Sequence, residues 1–283
     1  MTMGKNGLAL PRIAGQLIIL LVVAAFAGGS ALAPLSHDTT PRFARLSDDS
    51  VVHGERLARI LGCLNCHDTA LTGEDWSEAG FVRLWTSNLT RAVPQYSDMQ
   101  LAAAIRRGRR HDGMPLWDMP SPLFARLSDA DMAALVSYLR RRPPQGPVRP
   151  LPVLEAGAFR EIAAGTYRSA PANVARIDDA VPADLGPELA LGRHIVRATC
   201  AECHGFDLRG GIPYPGAAAR PDLRIAAGYD DGQFARLMTT GIAIGNRDVG
   251  LMRQVARGRY KYLAPAERGA VRDYLHALAQ AYP

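Results

Sequence analysis

The sequence predicts an all-α chain: two tandem copies of one small helical domain behind an N-terminal apolar segment. Three observations carry this. A five-residue pattern occurs twice, at Cys63 and at Cys200, and the residues around each occurrence repeat in the same order. The apolar positions of each copy recur at i, i+3, i+4 and i+7, the period of an amphipathic helix. The chain has 283 residues and a mass of 30.5 kDa, which is room for about two domains of roughly 100–150 residues. With 48% hydrophobic and 21% charged residues it is too apolar for disorder, and a mean hydropathy of −0.05 rules out a polytopic membrane protein. Aromatic residues are sparse at 7%, while Gly (27) and Pro (20) are plentiful. Side chains alone would therefore give thin cores, unless something else fills them. The net charge of +6 leaves an acidic protein partner open but brings no nucleic-acid motif, so no nucleic acid is expected.

In chain order, residues 1–36 come first. Positions 13–33 are uncharged and mostly apolar, preceded by Lys5 and Arg12. That length spans a bilayer, and the flanking positive charges keep the N-terminus in the cytoplasm. Ala31-Leu32-Ala33 also has the form of a signal-peptidase site, but Pro34 directly after it disfavours cleavage. The expectation is an inner-membrane anchor, with a cleaved signal and a soluble periplasmic protein as the alternative. Either one exports the rest of the chain.

The first copy occupies 50–142 and the second 186–283. Gly54-Glu55-Arg56-Leu57 precedes the first Cys pattern as Gly192-Arg193-His194-Ile195 precedes the second. Asn88-Leu89 is matched by Asp222-Leu223, and the intervals Tyr96 to Gly108 and Tyr229 to Gly241 are equal. Ser97-x-x-Gln100 and Asp230-x-x-Gln233 read as capping boxes opening a middle helix. A final helix opens at Ser128 in one copy and at Pro265 in the other. Its apolar stripe is Met132, Leu135, Val136, Leu139 and then Val271, Tyr274, Leu275, Leu278. Residues 143–185 begin with Pro143-Pro144-Gln145-Gly146-Pro147, which predicts a semi-rigid interdomain strap. Arg106, Arg107, Arg109, Arg110 and His111 form a basic cluster: a solvated face by default, otherwise a partner for anionic groups or for an acidic protein.

All four cysteines lie in Cys63-Leu64-Asn65-Cys66-His67 and Cys200-Ala201-Glu202-Cys203-His204. A Cys-x-x-Cys pair alone reads as a redox dithiol, a disulfide or half of a zinc site. A zinc ribbon separates its pairs by roughly 15–20 residues, far less than here, and a dithiol has no use for a His directly after the second Cys. Cys-x-x-Cys-His is the attachment pattern of c-type haem. At the start of a helix, i and i+3 share a face, so Cys63 with Cys66, and Cys200 with Cys203, reach the two vinyl groups of one porphyrin. His67 and His204 then face the iron. Two c-type haems are expected, and they account for the missing aromatic core.

For the sixth ligand, Met252 is expected in the loop before the final helix of the second copy, whereas Met238 inside the middle helix reads as core. In the first copy Met114-Pro115 and Met119-Pro120 both qualify. Distance from the haem motif favours Met114, and distance to the following helix favours Met119.

At these residues both copies resemble class I cytochrome c domains, and the pair resembles the dihaem and multihaem cytochrome subunits of periplasmic dehydrogenases. The family's motifs read here as Asn88-Leu89-Thr90, Arg107-Gly108, Met119-Pro120-Ser121 and Leu127-Ser128-Asp129. The resemblance implies His/Met ligation by His67 and Met119 and by His204 and Met252, with Met114 the alternative. It implies periplasmic electron transfer, with a dehydrogenase as donor and an oxidase or another cytochrome as acceptor. The competing readings are the dihaem subunit of a haem–copper oxidase, and a dihaem peroxidase-type or thiosulfate-oxidising enzyme. No catalytic constellation beyond the haem motifs is visible, so a carrier is expected rather than a catalytic chain.

Overall fold

A short polar cap, a left-handed glycine and a crossing glycine set the geometry of the first domain. The computed structural model describes residues 39–213 and 217–283. The expected anchor or signal segment, 1–36, lies outside them. Among the described residues no helix is long and apolar enough to cross a membrane. Helix α1 (Ser50–Ile60) starts where the Asp49 carboxylate accepts the Val51 N–H at 2.7 Å. It ends at Ile60, capped by Leu61, and the φ of +82° at Gly62 then turns the chain into α2 (Cys63–Cys66). The short helices α3 (Leu89–Ala92), α4 (Asp98–Arg107) and α5 (Ser121–Phe124) follow, then α6 (Asp129–Arg140). The expected Ser97/Gln100 capping box is present on α4. The Ser128 hydroxyl accepts the Asp131 N–H at 3.0 Å and opens α6.

The second domain repeats the plan. It comprises, after α7 and α8 in the strap, α9 (Ala190–Thr199), α10 (Ala201–His204), α11 (Asp231–Thr240), α12 (Leu251–Gly258) and α13 (Pro265–Ala281). Asp230 and Gln233 form the matching capping box. Both apolar stripes of the final helices are buried. In each domain the first helix crosses the last at a glycine: Gly54 lies against Ala134 and Tyr138 on α6, and Gly192 against Ala270 and Tyr274 on α13. A side chain at either crossing would collide with backbone, so these two positions carry none for steric reasons.

The strap is extended only in part. Its proline run gives way to β2 (Val153–Leu154), α7 (Ala156–Ala164) and α8 (Ala170–Val174). Strand β2 pairs antiparallel with β1 (Val82–Arg83), Val82 opposite Leu154. This two-residue ladder and isolated bridges are the departures from an all-helical chain among the described residues. Composition hides them because the Ala- and Arg-rich stretch docks by backbone bonds, the Glu155 N–H to Phe81 O at 2.8 Å and the Ala170 N–H to Leu116 O at 2.9 Å, while the proline run before it is held by side chains. The Asn88 amide donates to Gln145 O and Pro147 O at 2.8 Å each, and Arg149 donates to Thr72 O at 2.9 Å and Gly73 O at 2.8 Å.

The described residues form one compact unit, and buried charge joins its halves. The Phe43 N–H donates to the Asp131 carboxylate at 3.1 Å, and the next N–H, Ala44, to the Glu267 carboxylate at 2.7 Å. Asp131 and Glu267 hold equivalent places in the first turns of α6 and α13. Glu267 also takes two bonds from Arg56 of the first domain, at 2.8 and 3.0 Å. Burial works against both charges, pulling Arg56 down and pushing Glu267 up from their ordinary values. His53, which the sequence offers as an ordinary packing residue, is buried with Nε2 3.2 Å from Asp131.

Candidate haem sites

Each site is built by the turn that follows a first helix. In the first domain Cys63 and Cys66 lie on α2, and the His67 N–H donates to Cys63 O at 2.9 Å. His67 Nδ1 is 2.8 Å from Ser87 O. A carbonyl only accepts, so Nδ1 carries the proton and Nε2 keeps its lone pair for a metal. In the second domain the His204 N–H donates to Cys200 O at 3.0 Å, and His204 Nδ1 lies 2.9 Å from Pro221 O. Burial lowers the pKa of both imidazoles, which keeps them neutral. The same burial pushes the Cys63 thiol up to about 12 and Cys66 to about 11, and raises Cys200 and Cys203. All four cysteines are free of disulfides.

Beyond the histidines the repetition reaches single backbone bonds. Gly73 N donates to His67 O at 2.9 Å, and Gly210 N to His204 O at 2.8 Å. Leu71 and Leu208, each four residues past its histidine, are left-handed at φ +62° and +61° and fully buried. A leucine in that region costs about 1–2 kcal/mol, so the surrounding packing must hold it there. Residue type alone does not single out this pair, although two leucines at equal distance from two motif histidines are visible in the sequence. The two carbonyls that orient the imidazoles leave no trace in residue type at all, being backbone atoms.

A cavity of about 350 Å³ opens beside Cys63, Cys66 and His67, walled by apolar side chains that include Leu101, Phe124, Leu135 and Leu139. Met119 lines it, whereas Met114 is 60% exposed. Arg110 and His111 of the basic cluster also line it, as do Val148 to Pro152 of the strap. Arg106 instead pairs with Asp129 at 2.8 Å, away from this wall. In the second domain Met238 is buried in α11, within the core. Met252 packs on the same core, but in the first turn of α12 rather than in a loop. The segment is helical because Met252, Val255 and Ala256 give it one apolar face. An oriented imidazole, two adjacent thiols and an apolar slot fit a covalently held haem in the first domain, and the second repeats the thiols and the imidazole.

The fold and these sites define a c-type haem protein made of two repeated helical domains. The family model described as Cytochrome c matches residues 51–142 and again 189–279. The chain therefore belongs to the cytochrome c family, and its cofactor is covalently bound c-type haem, two domains for two haems. It is similar to the cytochrome c subunit of the quinone alcohol dehydrogenase of Gluconobacter oxydans (strain 621H), 27% identical over 182 residues, or 58% of this chain and 37% of the relative. The corresponding subunit from Gluconacetobacter polyoxogenes is 31% identical over 103 residues, covering 32% of this chain and 22% of the relative. The fructose dehydrogenase cytochrome subunit of Gluconobacter japonicus is 24% identical over 274 residues, covering 85% of this chain and 55% of the relative. The chain thus spans between about a fifth and just over half of the length of these relatives.

Proposed function

We infer that the chain is a periplasmic electron carrier whose two haems have His/Met ligation, by His67 with Met119 and by His204 with Met252. The bound haem irons supply one-electron Fe3+/Fe2+ couples. The chain attaches them through Cys63, Cys66, Cys200 and Cys203, holds each proximal imidazole in one tautomer and excludes water from the iron. A methionine thioether from Met119 or Met252 in the ligand set would favour the ferrous state and raise the potential, which suits a carrier. The observation that carries this reading is the pairing of His67 and Met119 on one cavity wall set, with Met114 turned out to solvent. Arg110 and His111 at the same cavity are suited to haem carboxylates.

The named relatives support a dehydrogenase as electron donor, rather than membership of a haem–copper oxidase. The acceptor in this reading is an oxidase or another cytochrome, and residues 13–33 hold the chain to the inner membrane. Alanine substitution tests the ligands through the near-infrared sulfur–iron charge-transfer band. Met119→Ala and Met252→Ala are each expected to remove about half of its intensity, and Met114→Ala none. A full band in Met119→Ala would overturn the assignment.

A further inference from the structure

The two haem motifs share one ion pair, its guanidinium buried and its carboxylate partly open to solvent. Arg259, at the end of α12 in the second domain, is 5% exposed. Its Nε donates to Ile60 O of the first domain at 3.1 Å, and its Nη1 to Glu202 at 2.6 Å. Glu202 is one of the two residues between Cys200 and Cys203, yet it lines the cavity beside Cys63, Cys66 and His67. A Cβ on Gly62, the residue before Cys63, would lie 2.7 Å from the Arg259 guanidinium carbon. One on Gly258 would lie 3.8 Å from Asn65, inside the first motif. The loops that hold the attachment cysteines of both domains therefore face each other, with the Arg259–Glu202 pair between them.

We propose that the Arg259–Glu202 pair is an electrostatic element common to both haem sites, setting the balance of oxidised and reduced iron at each. This rests on the electron-carrier reading above. Arg259 and Glu202 are positioning residues. A fixed cation favours the less positive ferrous iron and a fixed anion the ferric one, so the intact pair nearly cancels at both sites. Removing one charge exposes the other to both irons.

The test is a redox titration of the full holo-chain, followed at the haem α-band, for the native protein, Glu202→Gln and Arg259→Gln. Gln at 202 keeps a hydrogen bond to Arg259 and removes only charge, so a purely structural role predicts no shift. The expected result is that Glu202→Gln raises both couples, by roughly tenfold in each oxidised-to-reduced ratio, about 59 mV for one electron. Arg259→Gln is expected to lower both. A shift of one couple alone, of neither, or of the two in opposite directions overturns the proposal, as does loss of a single haem in both variants. A native protein without two low-spin haems overturns the carrier reading itself, so the two failures are distinguishable.

Discussion

Gly54→Ala tests the helix crossing on which the first haem site is built. The added Cβ would stand 2.0 Å from Ala134 O, 2.7 Å from Ala134 C and 2.8 Å from the Tyr138 Cβ, where ordinary contact begins near 3.4 Å. Two of these three atoms are backbone, so no rotamer change relieves the clash, and α1 and α6 must part by well over an ångström. Such overpacking costs about 1–3 kcal/mol. Moving the helices apart also strips contacts from Leu57, Ile60 and Leu135, all essentially fully buried. Against this, alanine inside a helix is favoured over glycine by about 1 kcal/mol. Overpacking less the helix preference leaves a loss of about 0–2 kcal/mol, and the contacts stripped along the crossing add to it. Equilibrium urea unfolding of the holo-protein, followed by far-ultraviolet circular dichroism, reads it, and covalent attachment keeps haem loss out of the measurement. Gly192→Ala should behave alike, since its Cβ would stand 2.1 Å from Ala270 O. A gain of about 1 kcal/mol, the helix preference alone, would refute the crossing in that domain.

Two further outcomes are expected. The denatured holo-protein should show no thiol titratable with a disulfide reagent, and the chain produced without haem attachment should show four; a free thiol in the holo-protein would break the assignment of two cysteines to each haem. Asp222 caps the turn Leu223–Gly228 and pairs with Arg224 at 2.6 Å, and that hydrogen bond holds its carboxyl below the ordinary 3.8. A depressed carboxylate stabilises the fold fully above its unfolded value and loses that contribution as pH falls through the folded one. The stability deficit of Asp222→Ala should therefore be constant near neutral pH and shrink below about pH 3.8, and a deficit that ignores pH would count against the pairing.

Much of the plan is legible in the residues because it is written in side-chain type. Capping boxes at Ser97 and Asp230, apolar stripes on the last helices and the two Cys-x-x-Cys-His patterns each state a local rule that the chain obeys. What stayed hidden depends on backbone atoms or on partners distant in sequence. The Ser87 and Pro221 carbonyls fix the imidazoles whatever side chains those residues bear. Arg149 sits in a proline-rich stretch that looks like a spacer, and only the fold brings it over Trp85, 4.3 Å from the ring centroid. Arg259 and Glu202 are unremarkable charges until two domains pack face to face. The helix that carries Met252 was not legible, since a single turn of apolar spacing reads equally well as loop.

The repeats invite a modular view, in which either half could be excised, exchanged or used singly. The carboxylate of Glu267 contradicts it. Two of its acceptor bonds come from Arg56, across the domain boundary, and another from Ala44, which precedes the first domain altogether. A second half produced alone would keep that carboxylate beside Ala264 and lose its counter-ion, and stranding one member of a buried pair costs about 3–5 kcal/mol, much of a typical domain's entire stability. Duplication gave the chain two copies, but the charge that one copy buries is now neutralised by the other. Inheritance must therefore keep them together, and substitutions at position 56 are constrained by position 267.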